Sequence, residues 1–204
     1  MVLPNKMALF LSPFFFDAAG CAMLAAASAL RARHASCAPV GAAVLGVLCG
    51  LIGPLLRATL AGQPAVLVLD ASLYPASALG GGVIGAFLGR FSWTEGRFFS
   101  LIEAAGLQLL ACSGVLVVQH WLALSPLGIF LLSAVPAFVP GLLRDVALGD
   151  TAALADEPAY ATAPLLGILL TIGCLALGQS PMTALAVGWS AGFLARALVI
   201  RQQS

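Results

Sequence analysis

Apolar runs long enough to cross a lipid bilayer follow one another along almost the whole chain. Ala104 to Val118, for example, contains no charged residue and no strict polar alternation. A spanning helix needs roughly 20 mostly apolar residues, so 204 residues joined by short links hold seven of them. Their expected positions are 10–31, 39–60, 72–90, 98–119, 125–148, 160–178 and 181–200. Charged residues make up only 8% of the chain, where a soluble domain carries about a quarter. Such a surface is solvated by lipid, and inside lipid only helices or closed barrels satisfy every backbone group. Continuous apolar runs favour helices over barrel strands, whose residues alternate in polarity.

The links are short and polar. Arg31, Arg33 and His34 precede Pro39, and Gln63-Pro64 and Asp70 separate spans two and three. The segment from Arg90 to Arg97 precedes span four, and Ser125-Pro126 opens span five. An acidic loop with Asp150, Asp156 and Glu157 precedes span six, and Gln179-Ser180-Pro181 turns into span seven. No soluble domain fits between them. The first segment lacks a small-residue cleavage site and reads as a retained helix. Cys21, Cys37, Cys49, Cys112 and Cys174 are odd in number and form no C-x-x-C pair, so they read as small apolar residues.

Basic residues set the expected orientation. Lys6 and Arg57 fall on the N-terminal face, whereas Arg31, Arg33, Arg90, Arg97, Arg144, Arg196 and Arg201 fall on the other. That bias puts the second face in the cytoplasm, the N-terminus outside and the C-terminus inside. A net charge of +1 gives no electrostatic case for nucleic acid.

The chain also repeats itself. Asp17-Ala18-Ala19-Gly20 returns as Glu103-Ala104-Ala105-Gly106, and Pro39-Val40-Gly41 as Pro126-Leu127-Gly128. Leu55-Leu56-Arg57 with Gly62 returns as Leu142-Leu143-Arg144 with Gly149, Tyr74 as Tyr160, and Gly81 as Gly167. The shift is 86 or 87 residues throughout (103 − 17 = 86, 144 − 57 = 87). Residues 1–90 and 91–179 are thus two three-helix repeats, and 180–204 form a closing helix with a short cytoplasmic tail. Three spans per copy is an odd number, so the second copy enters the membrane upside down, a layout used by transport proteins.

Arg57 and Arg144 are the outstanding candidates for function, because an arginine within a span is costly unless it snorkels to the interface or faces a polar interior. Their recurrence at matching repeat positions favours the interior. Each follows a run of helix-disrupting residues: Gly50, Gly53 and Pro54 before Arg57, and Pro136, Pro140 and Gly141 before Arg144. Proline frees a backbone carbonyl and glycine permits bending, so a broken helix lining a cavity is expected here, with a packing kink as the alternative. Asp17 and Glu103 either pair with the arginines or form acidic pore mouths, with plain interfacial carboxylates at span ends as the alternative. Asp145 should meet water or the surroundings of Arg57, since side chains adjacent in sequence diverge on a helix. Thr59 and Ser133 supply hydroxyls for an ion. His34 and His120 have no second ligand at metal spacing, and Trp93, Trp121 and Trp189 fit interface anchoring or packing. Glycines at every fourth position (Gly46/Gly50, Gly81/Gly85/Gly89, Gly188/Gly192) make smooth faces for close helix packing, in the protomer core rather than between subunits.

An early acidic residue and glycine, a Gly/Pro-rich stretch before an arginine, and the same set again resemble the prokaryotic TRIC (trimeric intracellular cation) channels. Leu143-Arg144-Asp145-Val146-Ala147-Leu148-Gly149 is similar to that family's arginine–aspartate signature, and Tyr160 and Arg196 fit as well. The resemblance implies a seven-helix protomer in a homotrimer of the bacterial inner membrane. It implies a potassium-type cation pore within each protomer, beside kinked spans two and five, with no cofactor beyond the permeant cation. Gly53, Pro54 and Arg57 take the first-repeat role, and Pro140, Gly141, Arg144 and Asp145 the second. The chain departs from the pattern in lacking consecutive glycines at both breaks and in having Ala58 after Arg57. The alternative is a secondary transporter whose arginines bind a small anionic solute. No nucleophile–base pair, G-x-S-x-G, H-E-x-x-H or Walker loop suggests an enzyme.

Overall fold

A computed structural model describes residues 13–91, 96–149 and 158–202, all helix and connecting turn. Lys6, Trp93, Asp150, Asp156 and Glu157 lie outside the described residues, as do the side chains of Arg97 and Tyr160. Eight helices are described: α1 (Pro13–His34), α2 (Pro39–Leu60), α3 (Val66–Asp70), α4 (Leu73–Leu88), α5 (Arg97–Trp121), α6 (Pro126–Leu148), α7 (Pro158–Ala176) and α8 (Pro181–Gln202). Among them α1, α2, α5, α6 and α8 are long and apolar enough to cross a membrane; α4 and α7 are shorter apolar helices.

Local chemistry sets these bounds. α2, α6 and α8 open on proline, whose missing N–H costs nothing in the first turn. Ser125 caps α6 by accepting from Gly128 N at 3.3 Å. Gly149 ends α6 in the left-handed conformation (φ 73°), which a residue with a Cβ adopts at a cost. The short α3 was not expected from sequence. It forms because the Pro64 carbonyl accepts from Leu67 N and starts a helical turn that ends at Ala71.

α1, α2 and α4 pack together, as do α5, α6 and α7, with α8 against α7 and α5. The two groups meet through matching helices, α1 on α5 and α2 on α6. α1 and α5 run antiparallel: Phe14 lies against His120, Asp17 bonds Ser113, Gly20 touches Leu110, and Gly106 touches Met23 and Leu24. Gly20 on Leu110 and Gly106 on Leu24 are the same contact made from both sides.

The glycine faces all lie inside the protomer. A Cβ on Gly81 or Gly85 would collide with the carbonyls of Ala22 and Ala26, one on Gly46 with Ala25 O, and one on Gly188 with Gly167 O. At the matching place in the second half the side chain of Gln108 stands where Ala22 stands in the first. It fills the space over Gly167 and Gly192 and donates to Gly188 O at 3.2 Å. This buried amide joins α5 to α7 and α8, a contact for which the first half has no counterpart.

Spans two and five are not broken. α2 runs through Gly50, Gly53 and Pro54, and α6 through Pro136, Pro140 and Gly141, without leaving helical geometry. Each proline removes one hydrogen bond, and the other bonds of a 22- or 23-residue helix carry it. The disruptive residues serve the crossing of α2 and α6 instead. A Cβ on Gly53 would lie 2.9 Å from Pro136 O and 3.4 Å from Pro140 Cγ. Pro136 O is the carbonyl that Pro140 leaves without its helical donor, and Gly53 lets α2 come down onto it.

Candidate functional site

Two buried arginine–carboxylate clusters flank that crossing. In the first, Arg57 on α2 reaches across to α1, where its Nη1 lies 2.6 Å from Asp17 Oδ1, both side chains wholly buried. Arg57 Nη2 donates to Leu110 O on α5 at 2.9 Å, and the guanidinium lies over Gly114, where any side chain would displace it. Both oxygens of Asp17 are engaged: Oδ1 also accepts from Ser113 at 2.8 Å, and Oδ2 from the Tyr74 hydroxyl at 2.9 Å. Four helices therefore converge on one ion pair. Arg57 Nε has no acceptor among the described residues.

In the second cluster Arg144 on α6 reaches α5, where Nη1 donates to Glu103 Oε1. Its Nε and Nη2 both engage Asp145 Oδ1, at 2.7 and 2.6 Å. The expectation that Asp145 would avoid its neighbour is thus overturned. The arginine stem is long enough to fold back along the helix, so the divergence of adjacent Cβ vectors does not keep the charged ends apart. The guanidinium also lies 5.3 Å from the Phe99 ring centroid, and that of Arg31 lies 5.7 Å from the same ring. Arg196 on α8 is buried and lines a small pocket with Glu103 and Gln108.

The candidates divide accordingly. Arg57 and Asp17 meet, as do Arg144, Glu103 and Asp145, and the two sets occupy matching repeat positions. Gly53, Pro136 and Pro140 form the crossing, whereas Gly50 instead packs on Cys21 O and Ala25. Ser133 is buried and Thr59 exposed; each hydroxyl donates to the carbonyl four residues back, Ile129 O at 2.7 Å and Leu55 O at 2.8 Å. The structure brings neither hydroxyl into an ion-pair cluster. Sequence reasoning gave no role to Ser113, Gln108 or Phe99. Tyr74 stood in the repeat match, which was a usable signal, and Gln108 was a lone amide in an apolar run. Ser113 corresponds to Ala27 and had no signal. Among the described residues no group of three His, Cys, Asp or Glu side chains could hold a metal.

Antiparallel apolar helices around two ion-paired arginines, one on each of two crossing helices, define a polytopic membrane protein of the TRIC channel fold. A TRIC channel orthologue from Rhodobacter sphaeroides superposes with a TM-score of 0.86 at 26% identity, covering 94% of this chain and 98% of that one. A prokaryotic TRIC channel crystallised in 0.5 M KCl gives 0.83 at 20% identity, over 98% of both chains. A structure described for conductance through TRIC cation channels gives 0.78 at 21%, over 93% of each. No curated protein matches the chain. The sequence model of the family described as "Glycine transporter", which is the TRIC-family domain, matches twice, at residues 14–90 and 100–176. The chain belongs to that family. The two matches begin 86 residues apart (100 − 14 = 86), the offset read from the sequence.

Proposed function

We propose that this protein is a monovalent cation channel, potassium-type, whose pathway runs within each protomer beside α2 and α6. One observation carries the reading: both arginines in the membrane interior are neutralised by carboxylates from within the protomer. A bare guanidinium in a pathway repels cations; Arg57 held by Asp17, and Arg144 held by Glu103 and Asp145, do not. The antiparallel α1 and α5, with their reciprocal glycine contacts, support an inverted repeat of three spans each, α8 being the seventh span. The ion path then lies where the copies cross, at Gly53, Pro136 and Pro140, with one ion-pair cluster on each side as a gate. The trimeric assembly named for the Rhodobacter protein supports a homotrimer here. The clustering of basic residues on one face supports an N-terminus outside and a C-terminus in the cytoplasm, in what we propose is a bacterial inner membrane.

A second reading, carriage of a small solute, is favoured by the family's description as a glycine transporter. It requires a substrate carboxylate to displace Asp17 or Glu103 from its arginine. Reconstitution in a planar bilayer with potassium on both sides separates the two. Discrete current steps are expected. Their absence, together with saturable uptake of glycine into vesicles of the same protein, sinks the channel reading. Arg144→Ala should change single-channel conductance or open probability, and Arg201→Ala, at the exposed end of α8, should leave both near wild type. Equal effects would take Arg144 out of the pathway.

A further inference from the structure

Arg196 lies on α8, the helix without a counterpart in the repeat, and it is buried. Inside a span an arginine is costly unless a counter-charge meets it. The packing of α8 on α5 fixes what it faces. The two helices run antiparallel: a Cβ on Gly188 would lie 3.3 Å from Cys112 Sγ, and one on Gly192 would strike the Gln108 amide. Gln108 Nε2 donates to Gly188 O at 3.2 Å and holds that register. About one turn further along α8 comes Arg196, and a little over one turn back along α5 comes Glu103. Both line one cavity of about 10 Å³, the room that a single water molecule takes.

The carboxylates of the second half are arranged for exchange. Among the described residues Glu103 accepts one hydrogen bond, from Arg144 Nη1, and Asp145 holds Arg144 independently through Nε and Nη2. Asp17, the equivalent of Glu103 in the first half, accepts three, from three helices. The first cluster has one arginine and one acid. The second brings Arg144 and Arg196 together with Glu103 and Asp145, so its added acid is balanced by an added base.

We infer that Arg196 is a gating residue: it is a second cation for Glu103, whose carboxylate passes from Arg144 to Arg196 across the one-water cavity. In the present structure Glu103 is a strap that ties α6 to α5. After the transfer Arg144 keeps Asp145 on its own helix, Arg196 holds Glu103, and α6 is released from α5. No charge is left bare, so the cost of breaking a buried ion pair is avoided. The first cluster has no such exchange, because among the described residues Arg57 meets no second acid and Asp17 no second arginine. The consequence for conduction rests on the channel reading: α6 borders the proposed pathway, so its release from α5 favours the open state.

Single-channel recording of Arg196→Gln tests the consequence. Its open probability should fall about five-fold or more, the low end of a coupling between two states, with the unitary conductance of the wild type. Arg196→Lys should recover most of the loss. In a Glu103→Gln background, where the strap is already cut, Arg196→Gln should change open probability little. The pairing has a measurement of its own, the thermal unfolding midpoint in detergent over the cycle of Glu103→Gln, Arg196→Gln and the double variant. The double variant should lose less than the two single losses added together. An Arg196→Gln protein that folds only when Glu103→Gln accompanies it shows the same coupling. Purely additive losses overturn the inference, and so does an Arg196→Gln channel whose open probability is unchanged or falls equally in both backgrounds. A changed unitary conductance at unchanged open probability puts Arg196 in the pathway itself and also overturns it. A wild type without current steps sinks the channel reading instead, and the midpoint cycle then decides the pairing alone.

Discussion

Asp17 accepts three hydrogen bonds from three other helices, so its carboxylate is held from three sides. Removing one partner of a buried ion pair costs about 3–5 kcal/mol, because the other charge is left without compensation. Asp17→Ala should therefore lower the thermal unfolding midpoint in detergent markedly, whereas Asp17→Ala with Arg57→Ala should lose much less than the two single losses added together. Purely additive losses in that cycle would mean that the pair is not coupled. The sequence made Asp17 and Arg57 candidates because charge inside an apolar span is conspicuous, and it offered their pairing as one of two readings. It could not show Ser113, whose role depends on α5 running antiparallel to α1, nor the return of Arg144 to Asp145, which depends on how a flexible stem folds. Arg144→Ala should destabilise as well, because Glu103 and Asp145 would then face each other without their shared cation.

At the scale of the helices, the spacing of small residues determines how closely neighbours approach. Helices in lipid gain from backbone contact rather than from hydrophobic burial, so a glycine's worth depends on what lies opposite it. Gly85→Val would drive a side chain into Ala26 O on α1, whereas Gly80→Ala meets nothing within 4 Å. We expect Gly85→Val to aggregate or lose its monodisperse elution peak. Gly80→Ala should elute as wild type and gain slightly from alanine's better helix propensity, about 1 kcal/mol. If the two elute alike, the α1–α4 contact is not holding the first repeat together. The apolar runs and the polar links between them gave the helix bounds closely; the expected 39–60 is α2 itself. The same reading misjudged the Gly/Pro stretches, because proline's cost to a helix is local while its use here, a freed carbonyl under Gly53, lies on another helix. Likewise no local pattern announced that Gln108 would take the place of Ala22.

At the scale of the whole molecule, the two halves are one design used twice, and the differences between them carry the asymmetry. The first cluster is sealed between α1, α2, α4 and α5, with Arg57 and Asp17 wholly buried, whereas the second keeps slight exposure at Arg144, Glu103 and Asp145. The second half also carries the extra carboxylate, Asp145 where the first has Ala58, and the extra helix α8 with Arg196. The proposed inverted repeat would put these two unlike clusters toward opposite sides of the membrane, and the orientation of the chain would then decide which solution each one meets. Cys37, part-exposed after α1, and Gln179, exposed before α8, lie at ends of the bundle that the repeat assigns to opposite faces. In a protein whose other cysteines are replaced, a membrane-impermeant maleimide added to intact cells should label Gln179→Cys and leave Cys37 unlabelled; inside-out vesicles should reverse the pattern. Labelling of both from one side would refute the odd number of spans between them, and with it the inverted repeat. The reverse pattern in intact cells would keep the repeat and turn the molecule over, against the basic residues that cluster at the Cys37 end, Arg31, Arg33 and Arg90.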